Sequence, residues 1–279
     1  MNNIKNNFNG SKYFEYIEIK DQDKQVSIMN ANSIEILKIN FDKIENSEIP
    51  KSINFLKKFT FIKWLTITAK KIDFEGLNLF NNLINLHIIE YSNNLIDFKG
   101  LKHLERLSLY YRKKINNFQD LKNLNYIEFT NFKEDDLSIL QNINLLKTLK
   151  IARGNIKSLQ GLNCSKLTYI DLYSCNKLID LQQLEMPNKL KIIEITRCKN
   201  IKDLTFLNNC KSLEELKLID CGDINSLQPL VKLKKLKKIN FYGNTNILDG
   251  NFQGLEIKNL NFIERKHYSN KQSDFPKNN

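Results

Sequence analysis

The residues whose types and spacing could carry chemistry in this sequence are its cysteines. Cys175, Cys198 and Cys221 follow one another at intervals of 23 residues. Zinc sites need four ligands that converge tetrahedrally, usually from closely spaced Cys-x-x-Cys pairs. Equal, wide spacing instead predicts that the three sulfurs stack in a column, one in each structural repeat. We therefore expect no bound metal.

The histidines also give no indication of catalysis. His87, His103 and His267 are scattered, and none can be paired with a cysteine or serine as base and nucleophile. The sequence contains no Gly-rich phosphate loop of the Walker or dinucleotide type. It therefore predicts no catalytic residue, no cofactor and no enzymatic activity.

An internal repeat supplies the elements that must position these residues. The pattern L-x-x-L-x-L, with Ile or Phe in place of Leu, recurs at intervals of 28, 21, 21, 20, 22, 21, 23, 23, 23 and 21 residues. Its second apolar residue occupies Leu37, Leu65, Leu86, Leu107, Ile127, Leu149, Ile170, Ile193, Leu216, Ile239 and Leu260. Such regular self-similarity is the signature of a repeat architecture.

Each repeat has two halves with different periodicities. LTYIDLYSC, from Leu167 to Cys175, alternates apolar and polar residues as a strand with one buried face does. The second half places an apolar residue at every third position, as at Leu95, Phe98 and Leu101, which fits a 3₁₀ turn. One such repeat cannot bury its apolar side alone, so copies must stack with parallel strands. The sequence thus predicts an α/β solenoid with a parallel β-sheet on the concave side and 3₁₀ or short helical turns on the convex side.

These motifs resemble the leucine-rich-repeat family, most closely its short-repeat type found in internalins and phosphatase regulators. In that family an Asn or Cys five residues after the second apolar strand position bonds to backbone groups of the neighbouring turn. Here this ladder column holds Cys175, Cys198, Cys221 and Asn244, whereas earlier repeats carry Tyr91, Arg112, Phe132 and Gly154. The resemblance covers residues 34–263 and implies a horseshoe-shaped solenoid. Within the family, the chain looks most like a bacterial cytoplasmic member.

Three regions are expected along the chain. The first interval of 28 residues and the stretch from Phe14 to Met29 predict a hairpin-like N-terminal cap over residues 1–33. About 10–11 repeats of 20–23 residues fill residues 34–263. Residues 264–279 form a C-terminal cap and flexible tail, in which RKHYSNK, from Arg265 to Lys271, closes the last repeat. Caps are expected because the end of a solenoid otherwise exposes its core.

Cellular location follows from what the sequence lacks. No run of about 18 apolar residues is present, and the N-terminus has no apolar segment with a cleavage site as a secretory signal would. Five cysteines without such a signal indicate free thiols in a reducing compartment. We expect a cytoplasmic protein that is monomeric alone and makes no membrane contact.

The strand pattern predicts which side chains occupy the concave face, where repeat proteins commonly bind partners. Five tyrosines between positions 110 and 173 fall there, which is typical of a binding hot spot, although packing between adjacent strands is an alternative explanation. The predicted columns also hold six positive and six negative residues, Glu90 among them. The expected partner-binding residues are Trp64, His87, Arg106, Tyr110, Tyr111, Tyr126, Glu128, Lys150, Arg153, Tyr169, Asp171, Tyr173, Glu194, Arg197, Lys217 and Tyr242.

The overall charge has to be weighed against that near-neutral face. A net charge of +12 suggests nucleic acid, yet only 5 of the 43 basic residues are Arg, the residue that binds phosphate through two hydrogen bonds. Mixed charge beside tyrosines suits a protein partner and disfavours nucleic acid. We expect a non-enzymatic protein-protein interaction scaffold. The alternatives are an immunity or toxin-neutralising inhibitor, and non-specific nucleic-acid binding through a lysine-rich surface.

Overall fold

The computed structural model describes residues 4–6, 11–16, 21–43, 50–162, 165–179, 181–185 and 189–275. The chain divides into two compact units, unit 1 (Met1–Leu124) and unit 2 (Asn125–Asn279). Most of each unit consists of one repeated element, in which a short strand is followed by a turn, in most repeats a 3₁₀ segment, and the return to the next strand. The predicted repeat of parallel strands and 3₁₀ turns is confirmed.

Unit 1 contains one sheet in the order β1-β2-β3-β4-β5-β7 and a two-stranded pair, β6-β8. Its helices and strands are β1 (Ile4–Asn6), β2 (Lys12–Tyr16), α1 (Gln22–Ala31), β3 (Ile36–Asn40), β4 (Trp64–Ala69), β5 (Asn85–Glu90), β6 (Ile96–Asp97), β7 (Arg106–Tyr110) and β8 (Ile115–Asn116). Its 3₁₀ segments include Phe41–Lys43, Ile53–Phe59, Leu77–Leu79 and Phe118–Asp120.

Unit 2 contains a parallel sheet in the order β9-β10-β11-β12-β13-β15-β17 and a pair, β14-β16. Its strands are β9 (Tyr126–Thr130), β10 (Thr148–Ala152), β11 (Tyr169–Tyr173), β12 (Ile192–Thr196), β13 (Glu215–Ile219), β14 (Asp223–Ile224), β15 (Lys238–Tyr242), β16 (Asn246–Ile247) and β17 (Asn259–Phe262). Its 3₁₀ segments include Ser138–Leu140, Gln182–Glu185, Thr205–Asn209, Gln228–Leu230 and Gln272–Asp274.

Period-two alternation explains why these segments form strands. In β10, Leu149 and Ile151 are buried in the core while Thr148 and Lys150 are half-exposed on the other face. Leu149 pairs with Ile170 of the next strand, so the register advances by one whole repeat and apolar residues stack on apolar residues. All eleven repeat positions from Leu37 to Leu260 are at most 1% exposed. Stacking therefore produces a continuous core in each unit.

The residue directly after each strand differs between the two units. In unit 2 it is left-handed and turns outward, with φ between 54° and 62° at Asn131, Arg153, Ser174, Arg197 and Asp220. In unit 1 the corresponding residues, Ala69, Glu90 and Tyr111, are buried and do not have positive φ. Strand alternation therefore continues one residue further in unit 1, and this column points into the core.

The N-terminal region differs in detail from the expected hairpin. Strands β1 and β2 do pair antiparallel, but β2 then pairs parallel with β3. The stretch from Phe14 to Met29 also contains a helix, Gln22–Ala31, which follows β2. Phe14 and Met29 are nevertheless both buried, so both elements contribute apolar side chains to the end of the core.

Residues after β17 pack on the last strand. The ring of Tyr268 lies 5.8 Å from that of Phe262, which stacks on Phe241 at 5.1 Å. The Gln272 side chain accepts a hydrogen bond from the Phe262 N–H at 2.9 Å and donates one to the Leu260 carbonyl. One amide side chain thus satisfies two backbone groups on the outer edge of β17, which are otherwise open to association with another strand.

Candidate functional site

The cysteine column of unit 2 is a backbone-binding ladder. The Cys198 thiol donates to the Leu172 carbonyl at 3.4 Å and accepts from the Cys175 N–H at 3.3 Å. Cys221 repeats the pattern by donating to the Ile195 carbonyl at 3.3 Å. These groups are buried, and an unpaired backbone group there costs about 1–3 kcal/mol. The cysteines therefore hold successive turns together.

The fourth expected ladder residue, Asn244, accepts from the Gly222 N–H of the neighbouring turn at 3.2 Å, but the buried ladder position of this repeat is held by Thr245. Asn244 is exposed, whereas Thr245 is 2% exposed. The Thr245 hydroxyl accepts from the Cys221 N–H and donates to the Leu218 carbonyl, both at 3.0 Å. Gly243, with φ of 66°, ends the strand, and one further residue precedes the ladder position in this repeat. The ladder is thus shifted by one residue.

The described thiols lie in environments that oppose nucleophilic chemistry. Burial raises the pKa of the Cys221 thiol to about 11. A hydrogen bond between the Cys175 and Cys198 thiols, together with burial, raises the pKa of Cys198, and the same bond lowers the pKa of Cys175. Cys210 is buried and donates to the Leu184 carbonyl at 3.5 Å, and Cys164 lies outside the described residues. All four described thiols are buried, and thiols that solvent cannot reach are poor nucleophiles and metal ligands. Within the described ranges, His, Cys, Asp and Glu side chains form no group of three that could hold a metal ion.

The histidines occupy separate positions. His87 lies in the middle of β5, and His103 lines an open groove of unit 1 with Glu35, Lys63 and Glu105. In unit 2, the His267 Nε2 lies 2.9 Å from the Ile247 carbonyl oxygen. That contact ties the C-terminal residues to the last repeats.

Unit 1 replaces the ladder side chain with a buried ion pair. Arg112 occupies a ladder position, and its guanidinium pairs with the Glu90 carboxylate and donates to the Glu90 carbonyl at 2.9 Å and the Asn94 carbonyl at 3.3 Å. Glu90 was expected on the concave face, and that expectation is wrong because its side chain is 0% exposed. The longer Arg side chain therefore satisfies the backbone groups that an Asn would bind.

The solvent-facing side of the sheet in unit 2 carries most of the expected binding residues. We define the open face of unit 2 as the first, third and fifth residues of β9–β13 and β15, with the residue that follows each strand. Its charged members are five basic and five acidic residues, so its formal charge is 5 − 5 = 0. They are Lys150, Arg153, Arg197, Lys217, Lys238, Glu128, Asp171, Glu194, Glu215 and Asp220.

Cross-strand contacts connect these side chains. Lys150 lies 3.8 Å from Asp171, and Lys217 lies 2.6 Å from Glu194. The Tyr126 hydroxyl donates to Glu128 at 2.9 Å within one strand. Lys150, Asp171, Lys217, Glu194 and Glu128 thus each have an opposite charge or a hydroxyl next to them.

A second group on the open face joins an aromatic ring to arginine. The Arg197 guanidinium donates to the Tyr173 hydroxyl at 2.8 Å and lies 3.7 Å from the Asp220 carboxylate. The exposed Arg153 follows β10, the strand before that of Tyr173. Tyr242, which is 40% exposed, ends β15. Tyr and Arg side chains therefore line the edge of the face where the strands end.

The centre of the open face is shielded enough to change proton affinities. Burial, with the nearby carboxylates of Asp171 and Glu194, raises the pKa of the Tyr169 hydroxyl. Burial also raises the pKa of Asp171, although Lys150 opposes that shift. The hydrogen bond to Glu194 raises the pKa of Lys217. Tyr169 therefore stays a neutral hydrogen-bonding group.

Comparisons with known proteins identify the fold. No protein-family model and no curated protein matches the sequence. An internalin (inlF) from Listeria monocytogenes aligns with a TM-score of 0.61 and 19% identity, over 92% of this chain and 82% of that one. This chain has the leucine-rich-repeat fold.

Two other solved structures share the leucine-rich-repeat fold with it. Internalin C2 (inlC2) from Listeria monocytogenes aligns with a TM-score of 0.53 and 23% identity, over 66% of this chain and 83% of that one. The leucine-rich repeat domain of the type III effector XopL aligns with a TM-score of 0.60 and 16% identity, over 78% and 81%. Within the described part of the chain, no helix has both the length and the hydropathy of a membrane-spanning segment.

The leucine-rich repeats of unit 1 place their expected binding residues differently. Trp64 and His87 are half-buried on the solvent-facing side of their strands, and Arg106 is exposed at the start of β7. Tyr111 was expected on the same face, which is wrong, because it is 5% exposed and points into the core. The reason is that Tyr111 belongs to the column of Ala69 and Glu90, which points into the core in unit 1.

Tyr91 is a surface residue of the leucine-rich repeats that the column pattern does not predict. Its side chain is 59% exposed, and its ring lies 4.7 Å from that of Tyr110 in an edge-to-face arrangement. The available signal was an aromatic residue in a column that holds Asn or Cys in the family that the sequence resembles. Tyr91 and Tyr110 together form an aromatic pair on unit 1.

Proposed function

We propose that this chain is a non-enzymatic protein-interaction scaffold and that a folded protein partner docks on the open face of unit 2. The proposal rests on one observation, that this face is neutral and Tyr126, Tyr169 and Tyr173 lie beside charged side chains. A cytoplasmic, monomeric scaffold is part of the proposal. It is supported by the buried thiols of Cys175, Cys198 and Cys221, which suit a reducing compartment.

Charge on the open face favours a protein over a nucleic acid at this site. Nucleic-acid affinity is dominated by neutralisation of phosphates, which requires a surface of one sign. Five positive and five negative side chains alternate here instead. Mixed charge orients a protein partner and discriminates against wrong ones.

The hydrogen-bonded tyrosines suit such a site for an energetic reason. Ordering a flexible side chain at an interface costs about 0.5–1.5 kcal/mol, and preorganised groups avoid part of that cost. Tyr173 is already held by Arg197, and Tyr126 by Glu128. Tyr and Arg are enriched among residues that dominate binding energy. We therefore place the strongest contacts around Tyr173 and Arg197.

Site-specific photo-crosslinking tests the proposal. The photoreactive residue p-benzoylphenylalanine is introduced in place of Tyr242 on the open face or, as a control, in place of Ile179. Ile179 is 68% exposed and lies beyond the ladder residue Cys175, away from the strands. Irradiation in the native cell should give one discrete protein adduct from position 242 and none from position 179.

The captured partner then allows a measurement of affinity. Tyr173→Ala with Arg197→Ala should weaken its binding by 10-fold or more, since each is a hot-spot type. Circular dichroism checks that the variant keeps its strands. An adduct from position 179 alone, or unchanged affinity of the double variant, contradicts the assignment of the open face.

A further inference from the structure

Residues that lead into the strands of unit 2 form a strongly basic surface. We define the strand-start flank as the residues one, three and four positions before β10–β13, β15 and β17. Its described positions hold nine lysines and two glutamates, Glu214 and Glu256, a net charge of 9 − 2 = +7 in a chain of net charge +12. The nine lysines, all exposed, are Lys147, Lys166, Lys189, Lys191, Lys211, Lys234, Lys235, Lys237 and Lys258.

The lysine content of the chain does not by itself explain this concentration. The equivalent positions before β3, β4, β5 and β7 of unit 1 hold two lysines and two glutamates, a net charge of zero. The open face of unit 2 is also neutral. The strand-start flank of unit 2 therefore carries a net positive charge that the open face and the equivalent positions of unit 1 lack.

Strand register arranges the flank as a stripe. Neighbouring strands pair in parallel from β10 to β17, which spaces equivalent residues about 4.8 Å apart. Six strands thus give a stripe about 24 Å long, three residues wide. Of the described lysines of the flank, only Lys191 with Glu214 at 3.0 Å and Lys234 with Glu256 at 3.4 Å form salt bridges. Seven ammonium groups remain for an external anion.

The residue types on this flank select among anionic partners. Protein interfaces are depleted in Lys and enriched in aromatic residues and Arg, and none of the described flank positions holds either type. Stable membrane attachment needs an apolar anchor beside the charge, but Leu145 and Leu255 are only half-exposed. Single-stranded nucleic acid needs aromatic stacking platforms. A duplex backbone, a linear array with one charge per about 1.7 Å, needs only a row of cations.

We propose that the strand-start flank of unit 2 binds the phosphate backbone of double-stranded nucleic acid without reading its sequence. The contact uses lysines as point charges and displaces condensed counterions, so its strength falls steeply with salt. These residues are separate from those of the open face, and this inference stands or falls independently of the proposed protein partner.

Fluorescence anisotropy with a labelled DNA duplex of about 20 base pairs tests the proposal, since this length exceeds the stripe. With seven lysines engaged, log K should fall with log salt with a slope of up to about −6. Lys166→Gln, Lys189→Gln and Lys235→Gln together remove one column, and none of the three is in a salt bridge with a described residue. The slope should become shallower by about 2.7, and binding near 0.1 M salt should weaken about a hundredfold or more.

A matched control separates a site from general charge. Lys177→Gln, Lys199→Gln and Lys202→Gln change the net charge equally, but these exposed lysines follow the strands instead of preceding them. The control should retain the wild-type slope, and two unrelated duplex sequences should bind equally.

Several results overturn the proposal. The first is absence of duplex binding at about 50 mM salt, where such contacts are strong. The second is an equal loss of duplex affinity in the two triple variants, and the third is a clear preference for one duplex sequence. Flank-dependent binding to phosphatidylglycerol vesicles without duplex binding would assign the flank to membranes instead. Circular dichroism and unfolding curves of both variants exclude misfolding as the cause.

Discussion

Replacing Thr245 with Val should test the ladder of unit 2 at the position where repeat pattern and structure disagree. Thr245 is 2% exposed, and its hydroxyl bonds to the Cys221 N–H and the Leu218 carbonyl, each at 3.0 Å. Val keeps a similar shape and removes only the hydroxyl. Both backbone groups then stay buried without that partner.

The expected loss of stability follows from these two bonds. A buried backbone group left without its hydrogen bond costs about 1–3 kcal/mol, whereas a bond at the surface is exchanged for water at little cost. Because two such groups lose their partner, we expect Thr245→Val to lower the free energy of unfolding by about 2–6 kcal/mol. Thr245→Ser keeps the hydroxyl and loses one methyl group, so it should cost about 0.8 kcal/mol.

Urea unfolding followed by circular dichroism measures the effect, provided that the slope of free energy against urea is unchanged. Asn244→Ala is the matched control, because Asn244 is exposed and accepts only from the Gly222 N–H at 3.2 Å. Its effect should lie within about 0.5 kcal/mol. A larger loss for Asn244→Ala than for Thr245→Val would refute the shifted ladder.

Three further predictions follow from buried groups. Tyr111→Ala should lower the free energy of unfolding by about 3–5 kcal/mol in urea titrations, and Tyr110→Ala by far less, because only Tyr111 fills the core. Glu90→Gln should cost about 3–5 kcal/mol by leaving the Arg112 charge buried alone; a change within error would contradict the buried pair. Burial raises the pKa of Asp171 above its ordinary 3.8, so the folded state binds that proton more tightly than the unfolded state and ionisation destabilises the fold as pH rises through this window. Asp171→Asn should therefore raise stability near pH 7 relative to wild type, with the gain vanishing below pH 3.8; a gain that persists in acid would contradict this cause.

The repeat architecture could be predicted from the sequence because its signals are local and periodic. Leu149 and Ile170 lie one repeat apart, and the same spacing sets both the strand alternation and the strand register. The alternation also gives the open-face positions of Tyr126, Tyr169 and Tyr173. Period and polarity were sufficient there, since each strand position is defined by its neighbours in sequence.

Errors arose where the backbone departs from the repeat by one residue. Tyr111 was expected to turn outward as Ser174 does, but only Ser174 has a positive φ, so the direction of the side chain reverses. Gly243 shifts the ladder from Asn244 to Thr245. One-residue changes in backbone conformation leave the apolar pattern intact, so the pattern cannot predict them.

The sequence by itself determined the parallel-strand repeat, its core and the total charge, because these depend on residue order and composition. The strand alternation also predicted a near-neutral concave face, and only the tertiary structure decided where the excess lysines collect. Stacking in register brings Lys166, Lys189 and Lys235, far apart in the chain, into one column, while the strands beside them form a neutral face. The strand register sets which side chains share a column. It therefore separates the two candidate binding surfaces of unit 2.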